Sequence, residues 1–332
     1  MIAARITDNR AVLQVLLVTF PFFALVLCGY WAARQQLLPL QAIPGLNTFV
    51  LYFALPAMLY RFGSTTPIAQ LLDGAALLVY LVCALTLVGF VVAATMNRRV
   101  GWNDAAFGAL VAAFPNTGFM GVPLLVALLG AQAAGPAIVT IVVDLIVTSS
   151  LCIALSRLDG ADEHGAAKAA RNALRGVLVN PMPWAICAGA VASWQGLQLP
   201  KPALQTLGLL ADAASPVALF TIGAVLARSA MLNASDDAHP MPLRDYLPVV
   251  ALKLLLHPVL VLLLGVSAQR LGLRLDPFAL TVMVLVAALP SASNVSVLAE
   301  RFGADTGRIA RIILISTALA FLSFSAAVSL LH

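Results

Sequence analysis

Apolar runs of about twenty residues follow one another along almost the whole chain, and this repetition limits the fold more than any motif does. Wound into an α-helix at about 1.5 Å per residue, such a run crosses the roughly 30 Å hydrocarbon core of a bilayer. The runs fall at about 11–33, 43–62, 74–96, 104–130, 135–156, 173–195, 203–227, 246–268, 276–301 and 307–331. A soluble domain carries about 25% charged residues. Here only 10% of 332 residues are charged and 61% are hydrophobic. The expected fold class is all-α integral membrane, with ten transmembrane helices and the lipid bilayer as a partner.

The first run is read as a helix and not as a cleaved signal. Residues 1–10 contain Arg5, Asp8 and Arg10, and the run that follows is longer than a signal-peptide apolar core. Leu27 stands before Cys28, where a lipoprotein cleavage site wants a small residue. All four cysteines (Cys28, Cys83, Cys152, Cys187) lie inside apolar runs without a CxxC pair. They read as small buried hydrophobes, with no disulfide framework and no metal site. The net charge of +5 comes from loop Lys and Arg and speaks of membrane orientation, not of nucleic acid.

The longest polar stretch, "SRLDGADEHGAAKAARNALR" at 156–175, divides the runs five and five. The expected organisation is a first five-helix repeat at 1–156, a cytoplasmic linker at 157–172 and a second, inverted repeat at 173–332. Scaffold and transport domains each draw on both repeats. With the N-terminus on one side, the opposite side collects twelve Lys and Arg: Arg34, Arg98, Arg99, Arg157, Lys168, Arg171, Arg175, Arg228, Arg244, Arg301, Arg308 and Arg311. The side of the N-terminus collects six: Arg5, Arg10, Arg61, Lys201, Arg270 and Arg274. The richer side should be cytoplasmic. A multi-pass protein of the bacterial inner membrane with both termini periplasmic or extracellular follows, and an odd number of spans per half inverts the halves. They also echo each other: "ALPAMLYRFG" (54–63) and "ASPVALFTIG" (214–223) align Pro56 and Gly63 with Pro216 and Gly223 at one offset.

Spans four and nine break the rule that a membrane helix runs without interruption. "AAFPNTG" and "AALPSAS" place Pro115 and Pro290 near the bilayer centre. Proline removes a backbone donor and disturbs the preceding turn, and unsatisfied backbone groups facing lipid cost several kcal/mol each. Such breaks persist where protein or a water-filled cavity satisfies them. Asn116 and Thr117 follow the first proline; Ser291, Ser293 and Asn294 follow the second, all favoured N-cap types. Each break would aim the positive end of a half-helix at the midplane. Gly118 and Gly121 would let a ligand or the other broken helix approach the backbone. Two corresponding breaks in inverted halves point to a secondary transporter with a midplane site.

"FPNTGFMGVPLL" (114–125) and "PSASNVSVLAERFG" (290–303) resemble the two crossover motifs of bacterial members of the auxin efflux carrier family. "LKLLLHPVL" (252–260), "NPMPWAICAG" (180–189) and "SPVALFTIGAVLA" (215–227) are similar to other spans of that family, so the likeness covers essentially the whole chain. It implies ten helices in two inverted repeats with crossed helices 4 and 9, an architecture shared with bile acid:sodium symporters. It also implies transport of small organic anions, such as auxin in plants and malonate-like dicarboxylates in bacteria. By position, Pro115 and Asn116 match the first crossover and Pro290 the second. The linker is far shorter than the plant loop, so regulation through that loop does not carry over. Where plant carriers follow the proline of span two with a substrate-facing serine, this chain has the apolar "PAMLY", which points away from auxin.

Three ionisable residues lie deep in spans: Asp144, Asp212 and Lys253. An intramembrane charge costs at least about 2.5–3.5 kcal/mol and is a functional hypothesis by default. Asp212, one turn before Pro216, either bonds freed backbone or serves the site. Lys253 either snorkels to the interface, or it supplies positive charge near the anion site or replaces a coupling cation. Asp144 either carries a coupling proton or locks to Lys253. His257, just before Pro258, reads as a packed residue filling the proline kink. There is no GxxxxGK[ST] for an ATP-driven pump and no HExxH, and "GADEHG" at 160–165 reads as a solvated loop.

The expected function is a secondary carrier of a small carboxylate, not an enzyme and without a cofactor, coupled to H⁺ or Na⁺. The substrate-binding residues are Pro115, Asn116, Thr117, Gly118, Pro290, Ser291, Ser293 and Asn294. Asp144, Lys253 and Asp212 serve coupling or charge balance. A sodium-coupled symporter and a non-transporting anion sensor are the alternatives, and a homodimer is left open as the assembly.

Overall fold

The computed structural model describes Leu17 and residues 20–65, 73–157, 181–197, 199–235 and 242–331. The orientation charges Arg5, Arg10, Lys168, Arg171 and Arg175, the "GADEHG" loop and all of the linker beyond Arg157 lie outside the described residues. Among those described, every regular element is a helix. In chain order these are α1 (Phe20–Arg34), α2 (Leu40–Thr65) and α3 (Gly74–Thr95), then α4 (Trp102–Ala113), α5 (Thr117–Leu129) and α6 (Ala131–Leu155). There follow α7 (Pro181–Gln195), α8 (Lys201–Ser235), α9 (Leu247–Arg270), α10 (Pro277–Ala287), α11 (Asn294–Phe302) and α12 (Thr306–Leu331).

Six of these (α2, α3, α6, α9, α12 and the Lys201–Arg228 part of α8) are long and apolar enough to cross a membrane, while α1, α5 and α10 are shorter apolar helices. The runs expected as single spans at 104–130 and 276–301 are each two half-helices, α4 with α5 and α10 with α11. The cause is the proline and the polar residues after it. Other helices stay continuous but widen to a π turn at Val50–Ala54, Asp144–Thr148 and Leu252–Leu256. Two of these turns precede Pro56 and Pro258, whose rings leave no room for a regular hydrogen bond one turn back. The third is fed by the Ser149 hydroxyl, which donates to the carbonyls of Asp144 at 2.6 Å and Leu145 at 3.0 Å. Asp144 and Lys253 therefore both sit on widened turns.

The helices pack as two groups. In the first, α2 lies against α7 and α8, and α1 reaches α8 through glycine. Seen from Gly29 the neighbour is the backbone of Phe220; seen from Gly223 it is the backbone of Val26 and Tyr30. The same device joins α2 to α7, where Gly63 faces the Ile186 carbonyl and Gly189 faces the Tyr60 carbonyl. Small residues at membrane-helix contacts let backbones approach until dispersion forces act over the full contact. In the second group, α3 packs on α4, α6 and α9, and α9 and α6 pack on α10, with α11 and α12 closing over α4. Contacts of α8 with α5 and α12 join the groups.

At one end of the second group Arg308 is a buried clamp, although the sequence suggested only an orientation charge. Its guanidinium donates to the Asp104 carbonyl at the start of α4 and to the Asp245 carbonyl before α9, both at 2.7 Å. Gly108 supplies the space it occupies.

The glycine contacts make a measurable claim. Gly223→Ala puts a methyl group into backbone atoms of α1, an overpacking worth about 1–3 kcal/mol, and should lower the thermal midpoint of the purified protein. Gly208→Ala on the same helix meets nothing within 4 Å and should leave the midpoint unchanged or raise it.

Candidate functional site at the crossing of two broken helices

The two breaks meet. The Asn116 N–H donates to the Pro290 carbonyl at 2.8 Å, and the Ala292 N–H donates to the Phe114 carbonyl at 3.0 Å. Pro115 and Ser291 thus stand opposite each other in an isolated antiparallel bridge. The Ser291 N–H donates to Ser316 Oγ on α12 at 3.3 Å. Backbone groups left over by each break are satisfied by the other break, which removes much of the cost of interrupting a helix in hydrocarbon. From the bridge the chain turns directly into α5 at Thr117 and α11 at Asn294. The positive dipole ends of two helices therefore start within three residues of one crossing.

What surrounds the bridge is polar, buried and unpaired. Asn116, Thr117 and Ser291 are all nine-tenths or more buried. Asn116 Oδ1, Thr117 Oγ1, Ser291 Oγ and Asn294 Oδ1 have no hydrogen-bond partner. Leaving such an atom unpaired costs about 1–3 kcal/mol. Asn116 and Ser293 hold the cap positions of α5 and α11, but neither side chain makes a capping bond. Their expected capping role is thus not taken up. Gly121 faces Leu289 of the other break, as expected of a close approach, whereas Gly118 faces Leu55 of α2 at ordinary contact distance. Of the eight residues named from sequence, Pro115, Asn116, Thr117, Pro290, Ser291, Ser293 and Asn294 gather at the crossing, and Gly118 lies on its α2 side.

The three intramembrane charges divide differently from the alternatives set out for them. Asp212 bonds no freed backbone; its Oδ1 accepts from Arg61 Nη1 of α2 at 2.6 Å, with both side chains partly exposed. That pair ties α2 to α8. Arg61, counted above as an orientation charge near the end of span two, is helical.

Lys253 does not snorkel. It is fully buried, with Nζ 3.0 Å from His257 Nδ1 and donating to the Ala287 carbonyl at 3.1 Å. Asp144 is fully buried as well and accepts from Tyr80 OH and Thr148 Oγ1, both at 3.1 Å. A direct Asp144–Lys253 lock is not made: among the described residues the ion pair is Arg61–Asp212. Tyr80 and Thr148 were missed from sequence because a lone tyrosine or threonine in an apolar helix carries no signature. Cys83 and Cys152 are buried as expected, but Cys28 and Cys187 are exposed on the outer surface. Among the described residues no three His, Cys, Asp or Glu side chains gather as metal ligands.

Long apolar helices around a buried crossing of two interrupted ones define a multi-pass membrane protein. The chain belongs to the membrane transport protein family, whose profile matches residues 15–328. It is 31% identical over 304 residues to a protein of Rhizobium meliloti (strain 1021) named "Putative malonate transporter", covering 90% of each chain. It is 28% identical over 293 residues to the "Uncharacterized transporter YfdV" of Escherichia coli, covering 86% of this chain and 88% of that one. An "Uncharacterized transporter" of Methanothermobacter thermautotrophicus is 26% identical over 303 residues, with 90% and 92% covered. This protein is a membrane transporter and not an enzyme.

If the unpaired oxygens await a ligand, removing one should not weaken the empty protein. Ser291→Ala should leave the thermal midpoint of the unliganded transporter unchanged or raise it, since a buried unpaired hydroxyl costs about 1–3 kcal/mol. A structural serine would instead show a clear loss.

Proposed function

We propose that the protein is a secondary active carrier of small organic anions, with a mono- or dicarboxylate bound at the crossing. The observation that carries this reading is the set of buried, unpartnered polar side chains beside two helix N-termini. Asn116, Thr117, Ser291 and Asn294 contact the ligand, with Ser293 and Gly118 at the rim and Pro115 and Pro290 holding the breaks open. The half-helix ends favour negative charge without a resident arginine. The relative named as a malonate transporter makes malonate the first acid to try.

The architecture proposed is ten spans in two inverted repeats, 1–156 and 173–332, joined by the 157–172 linker. The glycine contacts support it. Gly63 and Gly223 align between the halves, and one packs on α7 while the other packs on α1. These contacts exchange partners as a two-fold axis in the membrane plane would require. The group containing α1, α2, α7 and α8 serves as scaffold, and the group carrying the crossing moves against it in alternating access. Asp212 balances Arg61 within the scaffold, and Asp144 with Lys253 holds the coupling charge. The location proposed is the bacterial inner membrane with both termini outward, an orientation that the Lys and Arg distribution supports.

One observation favours a second reading. The four unpartnered atoms at the crossing are all oxygens, the ligand type that suits a hard cation, so a sodium-coupled symporter would place Na⁺ there.

Uptake of labelled malonate and a panel of carboxylates, indole-3-acetate included, into proteoliposomes tests both readings. Flux of one acid that falls at least tenfold in Asn116→Ala is the expected result. Dependence on a sodium gradient would select the second reading. Ligand binding with no flux under any gradient would overturn the carrier and leave an anion sensor.

A further inference from the structure

Tyr80 of α3, Asp144 of α6, and Lys253 and His257 of α9 meet in one fully buried cluster. The Tyr80 and His257 ring centroids are 6.1 Å apart. A carboxylate and an ammonium in one dry cluster ordinarily touch, because direct contact is what offsets their desolvation. These two instead take separate partners: Asp144 accepts from Tyr80 and Thr148, while Lys253 meets His257 and the Ala287 carbonyl. His257 Nε2 is buried and has no partner. When Lys253 is an ammonium, Nδ1 of His257 must be the acceptor, so the ring hydrogen sits on Nε2. The imidazole is then a two-ended conductor, with lysine at one nitrogen and an open position at the other.

Resting on the carrier reading above, we propose that Lys253 is the proton carrier of this transporter and that His257 is the relay that loads and unloads it. On unloading, the Nζ–H bond breaks as an Nδ1–H bond forms, and the Nε2–H bond breaks as one proton passes to a water molecule admitted beside Nε2 when the helices around it move apart in the transport cycle. The lysine is left as a neutral amine accepting from Nδ1–H, and the charge of the cluster falls by one. Loading is the reverse.

Asp144, in contact with the hydroxyls of Tyr80 and Thr148, is the carboxyl group that faces the lysine. Release also turns the bond from Lys253 to the Ala287 carbonyl from charge-assisted to neutral, which weakens it. Ala287 ends α10, three residues before Pro290, so the proton's presence is felt at the crossing. Other titratable groups facing the cluster are Cys83 on α3 and Cys152 on α6. No titratable side chain lies on α10. On α4 and α12 they stand only at the far ends, as Asp104, Arg308 and Arg311.

The first test needs no substrate. Nitrogen-15 spectra of histidine-labelled protein in bilayers, with the His257 ring identified by its loss in His257→Gln, are followed through a pH titration. The expected result is a ring whose hydrogen moves between its two nitrogens with pH in wild type and stops doing so in Lys253→Met. A ring that holds one tautomer throughout, or titrates alike in both proteins, would overturn the proposal. In proteoliposomes an inward acid gradient should accelerate wild-type uptake at least tenfold, and in His257→Gln the acceleration should fall below twofold. Acceleration undiminished in His257→Gln would also overturn it. Absence of any flux in wild type would sink the carrier reading alone, since the spectra decide the relay by themselves.

Discussion

Two hydrogen bonds between backbones hold this structure to its purpose. The bonds from Asn116 to Pro290 and from Ala292 to Phe114 let two helices stop in the middle of a membrane. In hydrocarbon every peptide group must find a partner within the protein, and a helix normally supplies its own. Here each interrupted helix supplies the other's. The half-helices α5 and α11 are consequently fixed at their first residues, where the helix dipole is positive. Remove either break and the other loses its partner.

The buried polar groups divide by how completely they are paired. Arg308 is fastened to carbonyls of Asp104 and Asp245 and holds the starts of α4 and α9 to the α11–α12 turn. Arg61 and Asp212 meet directly between α2 and α8. The crossing and the Lys253 cluster keep open positions: four side-chain oxygens in the first and one ring nitrogen in the second. Unpaired buried groups are costly and rare; among the described residues others stand singly at Asn103 Oδ1, Arg308 Nη2 and Ser323 Oγ, whereas the crossing gathers four.

Much of this was legible in the chain. Run length set the helices, because the bilayer imposes one length on every spanning element. Pro115 and Pro290 announced the breaks, because proline acts on its own turn and needs no tertiary context. Gly121 was read correctly as a close approach. What stayed hidden is what distance in sequence hides. Arg61 and Asp212 stand 151 residues apart. Lys253 bonds a carbonyl 34 residues on, and Tyr80 finds Asp144 64 residues away. The capping role expected of Asn116 and Ser293 failed for a related reason: propensity offers a side chain to its own backbone, and the crossing leaves these two uncapped. The π turn at Asp144 had no proline to announce it and depends on the Ser149 hydroxyl entering the ladder.

The length of the half-helices has an electrical meaning. α4 has 12 residues and α10 has 11, so each runs about 17–18 Å before its break at 1.5 Å per residue, roughly half the thickness of the membrane. A charge resting at the crossing has therefore fallen through about half of the transmembrane potential, whichever side it came from. At about 2.3 kcal/mol per charge per 100 mV for the full crossing, a monoanion is raised or lowered by about 1.2 kcal/mol there and a dianion by twice that. For the proposed carrier of organic anions, the membrane voltage would thus enter as a term in the binding constant itself and tell a doubly charged acid from a singly charged one before any side chain does.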